Sequence, residues 1–262
     1  MAQAKVPPKA RLQPRALIDR IRHDFPDVDD PVAAIRSGRI IVDRVVRLNP
    51  AFRVRPGAHV ALSPELALRG EAKLRPALER FGVTVEGKVA LDLGASAGGF
   101  TRVLLEHGAR RVYAVDAGHG QLLGSLRQDA RVVNLESTNV GVLNAARVPD
   151  AVQVVTVDVS YLSLSAAVAQ LDRIGVTDDA DLVGLVKPMF ELRLGRAPAD
   201  APGDDRLVEE ALARATEGVA RAGWRVVGWM PSPVRGAHGA RELLLHARRS
   251  AEREQAPPGP GD

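Results

Sequence analysis

The chain has 262 residues, with 36 Lys and Arg against 32 Asp and Glu, and 45 % of it is hydrophobic but only 3 % aromatic. That length fits one large domain, or a main domain with a small module, and the core has to be mostly Val, Leu, Ile and Ala. There is no cysteine, which excludes disulfides and thiolate metal sites, and no apolar run approaches the ~20 residues that span a bilayer. The opening "MAQAKVPPKARLQPR" has no apolar segment like that of a signal peptide, so a soluble cytoplasmic protein is expected.

The net charge of +4 is unevenly spread. Residues 1–70 carry 13 basic and 7 acidic side chains, a balance of +6, which leaves −2 for the remainder. A basic N-terminal third points to a polyanion such as RNA or DNA. Charge alone equally allows a solvated surface in an Arg-rich protein.

In chain order, residues 1–12 are rich in Pro and Lys and read as mobile. "RALIDRIRHDF" has helical spacing. "PVAAIRSGRIIV" reads as a short helix, a stop at Gly38 and a strand. "DRVVRLNPAFRVRPGAHVAL" continues as short strands with turns at Asn49-Pro50 and Pro56-Gly57, and this small αβ unit ends near Ser63-Pro64. "SPELALRGEAKLRPALERFG" then reads as a helix that stops at Gly82. Five strands follow, "KVALDLGA", "RVYAVDA", "VVNLE", "AVQVVTVDVS" and "DLVGLVKP", separated by the helical stretches "GGFTRVLLEHG", "QLLGSLRQD" and "SLSAAVAQLDRIG". This alternation predicts a parallel sheet with helices on both faces. The helix "DDRLVEEALARATEGVARAG" precedes two strands, "WRVVGWMPSPV" and "RELLLHARRS", that have no helix between them and are expected to be antiparallel. "AEREQAPPGPGD" reads as a disordered tail.

Ligands of such a sheet bind at the carboxyl ends of its strands. In "VALDLGASAGGF" a strand passes through a glycine loop into a helix. Gly94, Gly98 and Gly99 let a ligand approach the backbone, and the helix start favours an anionic group. Asp116 ends the next strand, where an acidic residue commonly holds two ribose hydroxyls. The site therefore suits a nucleoside-bearing cofactor. The dinucleotide fingerprint is absent because Ser96 replaces its second glycine, and the Walker A pattern is absent too. "GASAG" matches the hydrolase elbow G-x-S-x-G, with Ser96 as nucleophile and His238 or His246 as its partner, but Asp92 is out of place in an elbow strand. The form D-L-G-x-x-x-G-G is typical of S-adenosylmethionine (SAM) methyltransferases. A strand, loop and helix of this kind would also suit a NAD-type enzyme or a vestigial fold.

Charged residues collect at the same edge: Asp158 ends the fourth strand, Lys187 ends the fifth, Lys73 lies on the helix before the sheet and Glu242 begins the last strand. Asp158 could cap a helix, while Lys73 and Glu242 could be solvated. Lys187 is harder to dismiss, because a buried ammonium must be paired or neutralised.

"RGEAKLRPALERFG", "LDLGASAGGFTRVLLEHGARRVYAVDAGHGQL", "LRQDARVVNLESTNV", "DVSYLSL", "LVKPMFEL" and "VRGAHGARELLLH" resemble, in order, the TlyA family of ribosomal RNA 2′-O-methyltransferases. That family is related to FtsJ and historically labelled haemolysins. The resemblance implies a Rossmann-like α/β methyltransferase domain over residues 65–249, preceded at 13–64 by a degenerate ribosomal S-four-like RNA-binding domain. "AAIRSGRIIVDRVVRLNPAFRVRPGAHVAL" resembles the latter. The unit departs from that pattern in "DFPDVDDPVAA", where a Ser-Arg helix start is usual, and at Asp43-Arg44, where Asn-Gly is usual; Met189 stands where the family has Gln.

By the same resemblance, the catalytic set is Lys73, Asp158, Lys187 and Glu242. SAM would be held by Asp92, Gly94, Ser96, Gly98, Gly99, Phe100 and Asp116, with Glu136 or Asn139 near the adenine, and no metal is required. The mechanism implied has Lys187 take the proton of a ribose 2′-hydroxyl, with Lys73 the neighbouring cation and Asp158 and Glu242 orienting the amines and the ribose. Ribosomal RNA or ribosomal subunits, at cytidine, are the implied partners. A methyltransferase of tRNA or a small molecule is the nearest rival, followed by a binding-only RNA protein, a hydrolase using Ser96 and a pore-forming haemolysin.

Overall fold

The computed structural model describes residues 13–28, 30–36, 38–43, 45–62, 68–194, 205–236 and 239–249. The expected mobile start (1–12) and tail (250–262), the Ser63-Pro64 boundary and His238 lie outside the described residues. The chain divides into two compact units, Met1–Leu66 and Ala67–Asp262.

In the first unit, Leu17 and Ile21 lie one turn apart on α1 (Leu17–Asp24), and both are fully buried. They pack with Ile35 of α2 (Pro31–Arg36) and with Ile40, Val42 and Val54. β1 (Arg15–Ala16) pairs with β4 (Arg53–Val54), and β2 (Ile40–Val42) lies between β3 (Val45–Val46) and β5 (Val60–Leu62) in an antiparallel sheet. Asp43 takes the left-handed conformation after β2, at φ 48°, and its carboxylate accepts the His59 N–H at 3.0 Å. Aspartate tolerates that conformation because its side chain bonds locally, which lets it carry a turn that usually uses Asn-Gly. The Arg47 guanidinium lies 4.2 Å over the Phe52 ring.

The second unit opens with α3 (Glu71–Phe81), which ends at Gly82 in the left-handed region, the common helix stop. Its seven-stranded sheet has the order β11-β12-β10-β9-β6-β7-β8. These strands are β6 (Val89–Leu93), β7 (Arg111–Val115), β8 (Val132–Leu135), β9 (Val152–Val157), β10 (Val176–Val186), β11 (Trp224–Pro231) and β12 (Leu243–Arg249). The central strands pair in parallel, and β12 runs against both of its neighbours. After β8 the chain returns to the far side of β6 to form β9, so a switch point opens between β6 and β9.

Alternation along the strands serves two helical layers. Leu182, Val186, Leu243, Leu245 and Ala247 face a cluster with Leu164, Ala167, Ala211, Ala215 and Val219. These last belong to α6 (Leu164–Val168) and α8 (Asp205–Arg221). His246, at the opposite parity of β12, stacks on Phe81 of α3 with ring centroids 5.2 Å apart. Four elements differ from expectation. The helix expected over "SPELALRGEAKLRPALERFG" begins only at Glu71, with residues 68–70 outside it. "QLLGSLRQD" forms only the single turn α5 (Gly124–Arg127). "SLSAAVAQLDRIG" breaks after Val168 into a 3-10 turn at Leu171–Arg173. β10 begins at Val176, five residues before Asp181, with a register shift between them.

Two buried aspartates behave oppositely. Asp181 is 5 % exposed and meets His246 Nε2 at 2.9 Å, Arg248 Nε at 3.2 Å and Lys88 Nζ at 3.5 Å. Burial pushes its carboxyl up, but those partners together hold it below the ordinary 3.8. Asp92 on β6 is fully buried and, among the described residues, has only hydroxyl partners, Thr101 Oγ1 at 2.7 Å and Thr156 Oγ1 at 2.9 Å. Burial pushes Asp92 up to about 7; the threonines oppose this, and Asp158 and Asp116 add to it.

Between 3.8 and about 7 the folded chain retains a proton on Asp92 that the unfolded chain sheds, so stability falls as pH rises through that window. Asp92→Asn removes the titration and keeps the shape. Its stability relative to the parent chain should therefore climb from pH 4 to pH 7, by about 1.4 kcal/mol per pH unit at most, and flatten above. Urea midpoints across that range measure it; a difference independent of pH would show that Asp92 titrates as an ordinary carboxylate.

Candidate active site

The glycine loop follows from close backbone packing at the switch point. Gly94 leaves β6 at φ 89°, and a Cβ there would stand 2.6 Å from the Asp158 carbonyl oxygen, so only glycine lets the ends of β6 and β9 come this close. Gly94 and Ala95 both donate to the Val115 carbonyl, at 2.9 and 3.0 Å, which turns the chain across the end of β7. Ser96 follows at φ 48°. Gly98 precedes α4 (Gly99–Glu106), whose N-terminus no side chain caps. A Cβ on Gly99 would lie 2.8 Å from Gly70 Cα, so α3 is seated directly on the start of α4.

The other residues expected around a cofactor are placed differently from one another. Asp116 is half-buried at the end of β7; its carboxylate accepts the N–H groups of Ser96 at 2.8 Å and Gly118 at 2.6 Å. It borders the loop, and its remaining lone pairs are unused by these two bonds. Asp92 and Phe100 lie beneath the loop, at 0 % and 3 % exposure, and Phe100 packs against Gly70. Both support the loop from inside. Glu136 accepts the N–H groups of Gln121 and Leu122 at 2.6 and 3.0 Å, and the side chains of Asn134 and Arg127 at 3.0 and 3.3 Å. Burial raises its carboxyl, yet these donors hold it below the ordinary range. Asn139 accepts the Gly141 N–H at 3.0 Å at the head of a 3-10 turn.

The four charged residues from distant parts of the sequence meet in one cluster. Lys73 Nζ lies 2.9 Å from Glu242 Oε2 and 3.3 Å from Asp158 Oδ2. Asp158 Oδ1 in turn lies 2.6 Å from Lys187 Nζ. The chain of contacts is Glu242–Lys73–Asp158–Lys187, two ammoniums against two carboxylates, with side-chain exposures of 8, 9, 20 and 12 %. Such pairing is what permits four charged groups to be buried together. Asp158, Lys187 and Glu242 occupy the ends of the neighbouring strands β9, β10 and β12, and Lys73 reaches in from α3.

Several contacts were not legible in the sequence. Lys187 Nζ also donates to the Val159 carbonyl at 2.7 Å and to Ser160 Oγ at 3.3 Å. Gly236 approaches Glu242 so closely that a Cβ would stand 2.3 Å from Oε1. The position of Gly70 just before the Lys73 helix was the available signal for the contact with Gly99. Of the two histidines considered for a hydrolase, His238 lies outside the described residues, and the placement of Ser96 and His246 does not suit one. The Ser96 hydroxyl bonds Gln121 Oε1 at 3.2 Å, and His246 is buried against Asp181 and Phe81, well up-strand of the ligand edge.

The FtsJ-like methyltransferase family matches residues 67–249. The 16S/23S rRNA (cytidine-2′-O)-methyltransferase TlyA of Mycobacterium tuberculosis is 38 % identical over 84 % of this chain and 83 % of its own length. Hemolysin A of Brachyspira hyodysenteriae is 35 % identical over 81 % and 90 %. A solved structure from Streptococcus thermophilus that carries the name hemolysin is 29 % identical, with a TM-score of 0.67 over 92 % of this chain and 90 % of that one. With the extent of these matches and the charged cluster at its switch point, the chain belongs to the FtsJ-like methyltransferases and, within them, to the TlyA family.

Proposed function

We propose that the protein is a cytoplasmic, SAM-dependent methyltransferase of the ribose 2′-hydroxyl of cytidine in ribosomal RNA. The observation that carries this reading is the Glu242–Lys73–Asp158–Lys187 cluster beside the glycine loop. The similarity to a cytidine-2′-O-methyltransferase supports the substrate. Among the described residues, no helix is long and apolar enough to cross a membrane.

The residues present fit SAM. The uncapped start of α4 favours a carboxylate, and Asp116 offers acceptors to a ribose diol at the adjoining strand end. When bound, SAM supplies an electrophilic methyl group on a sulfonium. The protein's task is to remove the 2′-hydroxyl proton as the oxygen attacks. Lys187 Nζ takes that proton. For this its ammonium must first lose one proton to solvent; the neutral amine keeps two N–H donors, matching its two shorter contacts, Asp158 Oδ1 at 2.6 Å and the Val159 carbonyl at 2.7 Å. The lone pair then faces the exposed Ser160 side, where the longest contact, 3.3 Å, is the easiest to give up. Lys73 sits between two carboxylates and fixes Asp158, which fixes Lys187.

The basic first unit is the RNA-holding module of this reading, with Arg47, Arg53 and Arg55 close together in sequence in or beside its strands. Replacing these three by Gln should lower rRNA affinity and reduce the slope of affinity against salt, while leaving SAM binding unchanged. Filter binding between 50 and 200 mM salt decides it, and an unchanged slope would remove these arginines from the phosphate contacts.

Asp116→Ala should weaken SAM binding by about 1–3 kcal/mol, the range for losing a hydrogen bond to a charged group. Calorimetry giving the parent affinity would take Asp116 out of the site.

Lys187→Ala should retain SAM binding and slow single-turnover methyl transfer to rRNA by about 10²–10⁴-fold, the scale of a lost general base. Lys187→Arg should not restore it, because guanidinium stays protonated. A fast Arg variant would leave Lys187 a cation clamp and nothing more.

A further inference from the structure

Glu191 is a buried carboxyl for which the proposed mechanism has no use. It is 6 % exposed, and no described cation forms a salt bridge with it. Its oxygens accept the Leu164 N–H and the Ser165 hydroxyl, the latter at 2.9 Å. Burial pushes the carboxyl up, and these donors only partly oppose that. A carboxyl without a counter-charge is costly to bury. An apolar residue would avoid that cost but leave the Leu164 N–H at the start of α6 without this acceptor.

The bonds close a ring around the proposed base. α7 (Pro188–Glu191) is one turn, held by the N–H groups of Phe190 and Glu191 on the Lys187 carbonyl at 2.9 and 3.1 Å. One end of this turn, Lys187, grips Asp158, the Val159 carbonyl and Ser160. The other end, Glu191, grips Leu164 and Ser165. Segment 158–165 is therefore held at both ends by the same turn. Its far end is firmly seated, because a Cβ on Gly184 of β10 would stand 2.3 Å from Leu164 Cδ1 and one on Gly218 of α8 would stand 2.3 Å from Ser165 Cβ. Glu191 thus ties the Lys187 turn to the strand and helix layers, where packing leaves little freedom.

We propose that Glu191 is a positioning residue for methyl transfer, anchoring the Lys187 turn to the start of α6 so that Lys187 keeps its place against Asp158 and Val159. This rests on the function proposed above. Gln keeps one acceptor oxygen, for the Leu164 N–H, and turns the other contact round, its NH₂ donating to the Ser165 hydroxyl, so it preserves both links of the ring without the charge.

The test compares Glu191→Ala and Glu191→Gln with the parent chain. Methyl transfer to rRNA is counted per SAM-binding site, and hydrogen exchange is followed over residues 158–165. In the Ala variant kcat should fall by about 10- to 100-fold, the cost of a misplaced group, with KM for SAM within about 3-fold and exchange over 158–165 faster. The Gln variant should regain most of the rate and the protection. In the Lys187→Ala background, Glu191→Ala should bring little further loss, because both act through one group. A near-parent kcat in the Ala variant, SAM binding that falls in step with kcat, or a Gln variant as impaired as Ala would each overturn the proposal. Hydrogen exchange needs no substrate, so unchanged exchange overturns the ring by itself. A parent chain silent on rRNA overturns the reading of function.

Discussion

An ammonium held at 12 % exposure beside a parallel sheet needs acceptors for its protons and a charge to balance its own, and around Lys187 this requirement organises the second unit. Asp158 answers it at 2.6 Å, but Asp158 alone would leave no order to the arrangement. Lys73 on the other side of Asp158, and Glu242 beyond Lys73, extend the pair into a neutral set of four. Each member comes from a different element, so the set exists only when β9, β10, β12 and α3 are all in place.

The elements come that close because backbones meet where side chains have been removed. At Gly94 the loop after β6 lies on the Asp158 carbonyl, and at Gly99 the start of α4 lies on Gly70. The first contact sets the loop against the strand that carries Asp158. The second sets it against the helix that carries Lys73. The proposed cofactor loop and the proposed proton-transfer groups therefore share backbone neighbours, which fits a reaction that needs both in line.

Carboxylates of this unit differ in their partners more than in their depth. Asp181 has a histidine and two cations and is held low; Asp92 has two hydroxyls and is pushed to about 7; Glu191 has a hydroxyl and an amide and is also pushed up. The first ties β10 to β12, the second ties β6 to α4 and β9, and the third ties α7 to α6. Unlike these three, Asp158 and Glu242 face the cations Lys73 and Lys187 at the ligand edge. Position along the strand, and which side chains are opposite, separate a structural carboxyl from a functional one.

Much of this was legible in the sequence. The alternation of strands and helices, the stops at Gly38 and Gly82, and the run of paired strands at the end depend on local preference and on period, which short windows of residues carry. The loop Gly94–Gly99 and Lys187 after an apolar strand also announce themselves locally, since glycine and a strand-end lysine are unusual at those positions. The truncation of "QLLGSLRQD" to one turn and the break after Val168 were not legible, because packing outweighs propensity in such short segments. Nor could residue order tell that Asp92 and Phe100 lie beneath the loop while Asp116 borders it, or that Glu191 reaches Leu164 and Ser165 across 27 and 26 positions. Contacts at such separation depend on register and crossover geometry, to which no local pattern is sensitive. Residue order alone settles the fold class and the residue types offered at the ligand edge; packing in three dimensions decides which of them are paired, which are buried as supports and which border the glycine loop.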